Sequence, residues 1–213
     1  MNLKVYILET SSIIPALIGI GLSYGLTNFD TCYLTSDEYQ RLLSIAGRLA
    51  GRDGGHNKFL ESINVTMLVR APRYWWQEFD TYRVGVTKQS ESTMHTITHR
   101  LLDHSDFAGG FIQKDVLRHL NDLITMYRET ADTELKKVCF NKIKLYLPEG
   151  FLQTRCVALN LKALRNMWFQ RRNHRLLEWR LFFEQVKHTF FNSVSAVSRY
   201  MVIKSLRCLS TSF

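Results

Sequence analysis

The chain is poor in the residues that would tie it to several familiar chemistries. Its 213 residues include 4 cysteines, Cys32, Cys139, Cys156 and Cys208, far apart and without a CxxC pair. That spacing argues against a disulfide scaffold and fits reduced thiols in a cytoplasmic protein. None stands in a recognisable nucleophile setting, which speaks against a catalytic cysteine. Only 3 prolines occur, and Ser/Gly-rich linkers, repeats and low-complexity runs are missing. The chain therefore reads as one domain over 1–213, with a frayed tail at 189–213. The motifs GxGxxG and GxxxxGK[ST] are both absent. A doubly wound dinucleotide fold and a P-loop nucleotidase are thereby disfavoured. The apolar stretch 13–22 follows Glu9, lacks a convincing small-residue cleavage site after it, and is too short to span a membrane. It reads as a helix of a soluble protein.

What is present describes a globular, basic protein. Hydrophobic residues make up 46% and charged residues 22% of the chain, enough apolar surface for a sizeable core. Lys and Arg outnumber Asp and Glu by 28 to 19, a formal charge of +9, which favours anionic partners. Lys162, Arg165, Arg171, Arg172 and Arg175 crowd one segment. That asymmetry suggests a phosphate-binding face more than a general coat.

Hydrophobic periodicity gives an α+β class, a small mixed or antiparallel sheet with several helices. Residues 3–8 predict a strand. Apolar and polar residues alternate over 63–69, with β-branched Ile63, Val65 and Thr66, and predict a half-buried strand. Helices are predicted over 37–50, 72–83, 114–127, 135–147, 160–170 and 176–186, with Pro72 in a first helical turn and Pro148 as a stop. Residues 87–93, rich in hydroxyls, read as a polar loop, and 93–102 fits neither period.

Several constellations have plain structural explanations. His95 and His99 have the i, i+4 spacing of metal ligands on a helix, but no carboxylate or cysteine completes a set, so no metal is expected. Trp75 and Trp76, with Phe79 and Tyr82, suit a core or an interface better than a stacking platform. The basic joint is more open. Lys162 and Asn166 share a helical face, and paired arginines at a helix end suit a planar ring with a phosphate. A solvated face complementing the helix dipole explains the same residues.

Taken together, these residues resemble the flavin-dependent thymidylate synthases over roughly 3–186. Gly55-His56-Asn57-Lys58-Phe59-Leu60-Glu61 is similar to the family's Gly-His-Glu-Thr-Pro-Phe-Glu, and Leu22-Ser23-Tyr24 to its Arg-Val-Ser segment. Val69-Arg70-Ala71-Pro72 is similar to Val-Lys-Ala-Pro, and Pro148 follows Lys144 as the family's proline follows an arginine. Asn160, Lys162, Asn166 and Arg171 keep the register of Asn-x-Arg-x3-Asn-x4-Arg, and Glu178-Trp179 stands for Gln-Trp. The family's hallmark, Arg-His-Arg, seven residues, then Ser, is altered. Here it reads Thr81-Tyr82-Arg83, and Ser92 comes one position late. Glu78 stands for an upstream Gln and Ser62 for a His. Exchanging Arg for Thr removes a bidentate fork worth about 1.5–3 kcal/mol per charge-assisted contact. Arg73 and Lys88 are the neighbouring cations placed to compensate.

The resemblance implies an α+β homotetramer, with sites between subunits, that converts dUMP to dTMP. Methylenetetrahydrofolate would supply the carbon and NADPH the hydride, passed through FAD, with no cysteine nucleophile. Arg171 and Ser92 would be catalytic. Arg83, Lys144, Glu78 and Arg171 would hold the nucleotide, and Ser23, His56, Gln89, Asn160, Lys162 and Asn166 the flavin. A homologue that binds a pyrimidine nucleotide without flavin chemistry is the alternative raised by Thr81-Tyr82. A basic nucleic-acid module is a third reading, disfavoured because no nucleic-acid motif is found.

Overall fold

Four strands and eight helices make up the regular structure of the computed structural model, which describes residues 3–30 and 33–193. The strands are β1 (Lys4–Thr10), β2 (Asn64–Pro72), β3 (Val86–Ser90) and β4 (Leu152–Asn160). The helices are α1 (Ile14–Ser23), α2 (Ser36–Leu49), α3 (Arg73–Phe79), α4 (Thr93–Thr96), α5 (Lys114–Glu129), α6 (Thr133–Tyr146), α7 (Leu161–Arg171) and α8 (Leu177–Ser193). The strands form one sheet in the order β1-β2-β4-β3. Arg73 N donates to Phe151 O (3.0 Å) and Leu161 N to Ile63 O (2.9 Å), so β2 and β4 run antiparallel. Bonds from Glu91 N to Thr154 O and Asn160 N to Gly85 O set β3 against β4 in the same sense, and Ser11 N to Asn64 O does so for β1 and β2. The class is α+β, as the periodicity indicates.

The chain folds into two compact units. One comprises Val69–Thr81 and Gln89–Arg155 with the first residues; the other comprises Val5–Leu68, Tyr82–Lys88 and the chain from Cys156 onward. In the first unit, Leu120, Leu123 and Ile124 of α5 pack in one cluster with Ile143 and Leu147 from α6 and its end, and with Ile97, Leu102, Phe107 and Phe151. Asp132 caps α6 by accepting from Glu134 N and Leu135 N, satisfying two of the helix's orphan donors. Trp75, Trp76 and Phe79 of α3 are fully buried, with ring centroids 4.9–5.3 Å apart. Burying each contributes on the order of 2–3 kcal/mol. Core packing, not ligand stacking, uses these rings.

In the second unit, a capping box at Thr35 and Glu38 starts α2. Leu42, Ile45 and Ala46 on its apolar stripe are buried, as are Leu17 of α1, Leu60, Val65 and Met67. Trp179, Phe182 and Phe183 of α8 are buried too, Trp168 of α7 meeting Phe183 edge-on at 4.9 Å. Among the described residues no helix is long and apolar enough to cross a membrane. Cys139 and Cys156 are free thiols; Cys32, Cys208 and the tail from 194 on lie outside the described residues.

The structure departs from the periodicity in three places. The helix expected over 72–83 spans only Arg73–Phe79; Pro72 closes β2 in extended geometry and stands as the cap. The hydroxyl-rich segment read as a loop holds β3, a polar strand at the end of the sheet order, where an exposed face suits charge and hydroxyl. β4, which the periodicity missed, is a central strand. Its Arg155 interrupts the apolar alternation, but the structure neutralises it. The guanidinium lies 4.4 Å from the Trp76 ring centroid and donates to Asp80 at 2.8 and 3.0 Å.

Candidate functional site

β4 delivers the chain to α7 through Asn160. Its Oδ1 accepts from Ala163 N (2.8 Å), an N-cap that fixes where the helix starts. Gly85, in the turn before β3, has φ +67°, and a Cβ there would stand 2.5 Å from Asn160 Nδ2. Both the backbone sign and the close approach require glycine. Gly85→Ala is expected to lower stability by about 1–3 kcal/mol, readable as a lower urea midpoint. An unchanged midpoint would show that the turn relaxes freely.

From α7 project two of the expected cofactor residues, Lys162 and Asn166, and also Arg171. Lys162 is ion-paired to Glu61, a residue of the 3-10 turn Lys58–Ser62 that follows His56. Asn166 is exposed and lines a small cleft with Asp53, Arg165, Phe169 and Gln170. Arg165 is buried; it donates to Asp53 (2.8 Å) and to Gly51 O (3.1 Å), tying the loop before His56 to α7. At the helix end, Arg171 Nε donates to the Tyr82 hydroxyl (3.0 Å), which donates to Gln170 Oε1 (2.9 Å). The Arg171 guanidinium lies 5.3 Å from the Trp179 ring centroid and 5.7 Å from that of Tyr82.

Ser23 and His56 meet in a cavity of about 310 Å³. Its walls include Pro15, Ala16, Ile20 and Phe59, with Lys58 and Ser62 at the polar side. An apolar slot with a few polar groups suits a planar ring. Its size is comparable to that of one planar ring system.

In the other unit, Lys144 from the last turn of α6 reaches Thr93, donating to its Oγ1 at 2.5 Å beside Ser92, the residue that precedes α4. Lys144 is half-buried and has no ion-pair partner among the described residues. Burial first, and then the charge of Arg73, hold its ammonium below the usual lysine pKa. Arg73 itself donates to Leu147 O (3.2 Å) and pairs with Glu149 (3.3 Å). Glu78 lies on α3, its carbonyl taken by the Thr81 amide and hydroxyl. Arg83 and Gln89 are exposed on the turn after Tyr82 and on β3.

The expected residues thus fall in small groups: Lys144 against Thr93, next in sequence to Ser92, then Ser23 with His56, and Lys162, Asn166 and Arg171 on α7 with Asn160 at its N-cap. Among the described residues, Arg83 and Gln89 form no side-chain hydrogen bond or ion pair with these groups. Sequence reading missed Thr93 as the lysine's partner, although it closes the hydroxyl run after Ser90. It also missed Tyr82 as the partner of Arg171 and the Arg165 clamp on Asp53. Those pairs lie 89 and 112 positions apart and leave no local pattern.

No protein-family model matches the chain, and no curated protein matches it in sequence. Solved structures do match. Thymidylate synthase X (ThyX) from Helicobacter pylori, solved with FAD and dUMP, has a TM-score of 0.70 at 13% identity, covering 97% of this chain and 100% of that one. A second structure of the flavin-dependent thymidylate synthase ThyX from Helicobacter pylori, also with FAD and dUMP, gives 0.70 at 14%, over 93% and 97%. The UMP/dUMP methylase PolB from Streptomyces cacaoi, bound with 5-Br dUMP, gives 0.63 at 14%, over 97% and 95%. At these identities the likeness is one of architecture: the chain has the fold of these ThyX synthases and of this UMP/dUMP methylase.

Proposed function

We propose that the protein binds dUMP or a closely related pyrimidine nucleotide and methylates it, as a divergent flavin-dependent thymidylate synthase-like enzyme. One observation supports the reading: a half-buried lysine donating to the Thr93 hydroxyl, without a carboxylate partner among the described residues, in a fold shared with ThyX structures solved with FAD and dUMP. A cation kept charged at a cost to itself is suited to an anion that arrives with the ligand. Lys144, Ser92 and Thr93 would take the phosphate, with Arg83 and Glu78 as further substrate contacts. Arg171 would present its planar fork to the pyrimidine, where bidentate donors can stabilise developing negative charge.

The Ser23 and His56 cavity fits a flavin ring or the adenine of FAD, with Gln89, Asn160, Lys162 and Asn166 as further contacts. Bound flavin would supply hydride transfer, with NADPH as the reductant and methylenetetrahydrofolate as the carbon donor. The protein's part is to orient rings, exclude water from the apolar slot and hold charge. A homotetramer with shared sites belongs to the same proposal.

A second reading, nucleotide binding without flavin chemistry, is favoured by Thr81. Its hydroxyl is spent on the Glu78 carbonyl (2.7 Å), and the position offers no cation. The visible spectrum of the purified protein separates the two. A flavin spectrum on adding FAD that shifts with dUMP, followed by dUMP-dependent NADPH oxidation without oxygen, is the expected result. A protein that ignores FAD yet binds dUMP would support the second reading; one that binds neither would sink both.

A further inference from the structure

We infer that Tyr82, which stands where the resemblance expects a histidine, is a positioning residue that sets the direction of the Arg171 guanidinium. The inference rests on the proposed role of Arg171 toward a nucleotide. Arginine is a long side chain whose planar fork recognises a ligand only if its plane is fixed beforehand. Three features fix it here. The Tyr82 hydroxyl accepts from Nε at 3.0 Å and passes its own proton to Gln170 Oε1 at 2.9 Å, so the phenol is both acceptor and donor. The Tyr82 ring meets the buried Trp179 edge-on, with centroids 5.9 Å apart and planes 74° apart, which fixes where the hydroxyl sits. The guanidinium lies near both rings, at 5.7 and 5.3 Å from their centroids, adding cation–π attraction. Lys88 Nζ, donating to the Tyr82 carbonyl at 3.3 Å, steadies the backbone beneath.

A bond to Nε fixes the plane of the guanidinium and hence the direction of its two Nη groups. Tyr82 does not touch the ligand in this scheme. It lowers the cost of ordering Arg171 when a nucleotide binds.

Tyr82→Phe tests this, since it keeps the ring and its packing and removes only the hydroxyl. The first readout needs no nucleotide: the Nε–H proton of Arg171, assigned by its loss in Arg171→Lys, followed by NMR exchange with water. The second is the dissociation constant for dUMP by calorimetry. We expect slow exchange in the wild type, fast exchange in Tyr82→Phe, and dUMP affinity lowered about tenfold, the scale of one hydrogen bond. Gln170→Ala, a change at an exposed residue, is expected to move both readouts the same way but less. Exchange unaltered by Tyr82→Phe overturns the inference whether or not dUMP binds. Fast exchange with undiminished affinity overturns it while leaving the nucleotide reading intact. A wild-type protein that does not bind dUMP overturns the nucleotide reading, and with it the role given to Tyr82.

Discussion

Lys144→Met is expected to weaken dUMP binding about 10- to 150-fold, the loss of one charge-assisted contact, while the ligand-free protein melts at the same temperature or higher. The opposed signs make the test sharp. Lysine and methionine have stems of similar length and apolar character, so packing along α6 changes little. What methionine removes is an ammonium that the fold tolerates poorly, since burial and the charge of Arg73 both disfavour its protonated form. Its pKa is lower in the folded than in the unfolded chain. Below the folded value both states are charged and the fold bears the whole penalty. As pH rises from the folded value toward the ordinary lysine value, that penalty is relieved. Wherever the ammonium is charged that penalty is present, and the methionine variant escapes it. Only the Thr93 bond is lost in exchange. For the nucleotide the direction reverses: an anion needs the ammonium, so affinity falls as pH climbs through the lowered pKa, earlier than for an exposed lysine. Calorimetry across the alkaline range and thermal melts of both proteins would check this. Undiminished affinity in Lys144→Met would remove the carrying observation from the nucleotide reading.

Most of the fold was legible because most of its elements bury one face. The stripe of Leu120, Leu123 and Ile124 marks α5, and Val65, Met67 and Val69 alternate into the core along β2. The elements that escaped notice are those where a partner far along the chain changes what a residue is worth. Arg155 would disqualify a central strand in isolation, yet Asp80 and the Trp76 ring make it acceptable in β4. β3 carries almost no hydrophobic signal, because its side chains are mostly exposed and its backbone bonds to β4 hold it in place.

The site was legible as residue types and not as pairings. The basic segment from Lys162 to Arg175 signals an anion-binding face by composition alone. What that face does is decided by partners: Lys162 is committed to Glu61, Arg165 to Asp53 and the Gly51 carbonyl, and Arg171 is oriented by Tyr82. Of these cations, Arg165 serves the fold by tying a loop to a helix. Lys144, outside the basic segment, has no ion-pair partner among the described residues. Charge counting pointed to the segment; burial and pairing point to the lysine.

A second large effect is expected at Asp106, and here the order of two substitutions matters more than either alone. Its carboxylate is buried at 2% exposure in a stretch with little regular structure, between α4 and α5. It accepts from Arg100 at 2.8 and 2.5 Å and from Asp103 N at 2.9 Å, with Arg70 at 3.7 Å. Arg100 is 59% exposed and Arg70 35%, so the asymmetry is plain: either arginine can rehydrate, and the carboxylate cannot. Arg100→Ala therefore strands a buried charge and should cost about 3 kcal/mol, the low end for a broken buried pair because Arg70 can move in. Asp106→Asn leaves no charge buried and keeps an acceptor oxygen, so it should cost only about 1–2 kcal/mol. The double variant should cost less than the sum of the two, since the second change removes the charge that the first one strands. Urea unfolding of the four proteins measures the cycle. If Asp106→Asn proves at least as costly as Arg100→Ala, burial of the carboxylate is not what makes this pair matter. Both variants keep Lys144 and its charge, so dUMP affinity measured well below the melting range should fall less in either than in Lys144→Met. Equal losses would mean that the segment after α4 shapes the phosphate site as strongly as the lysine does.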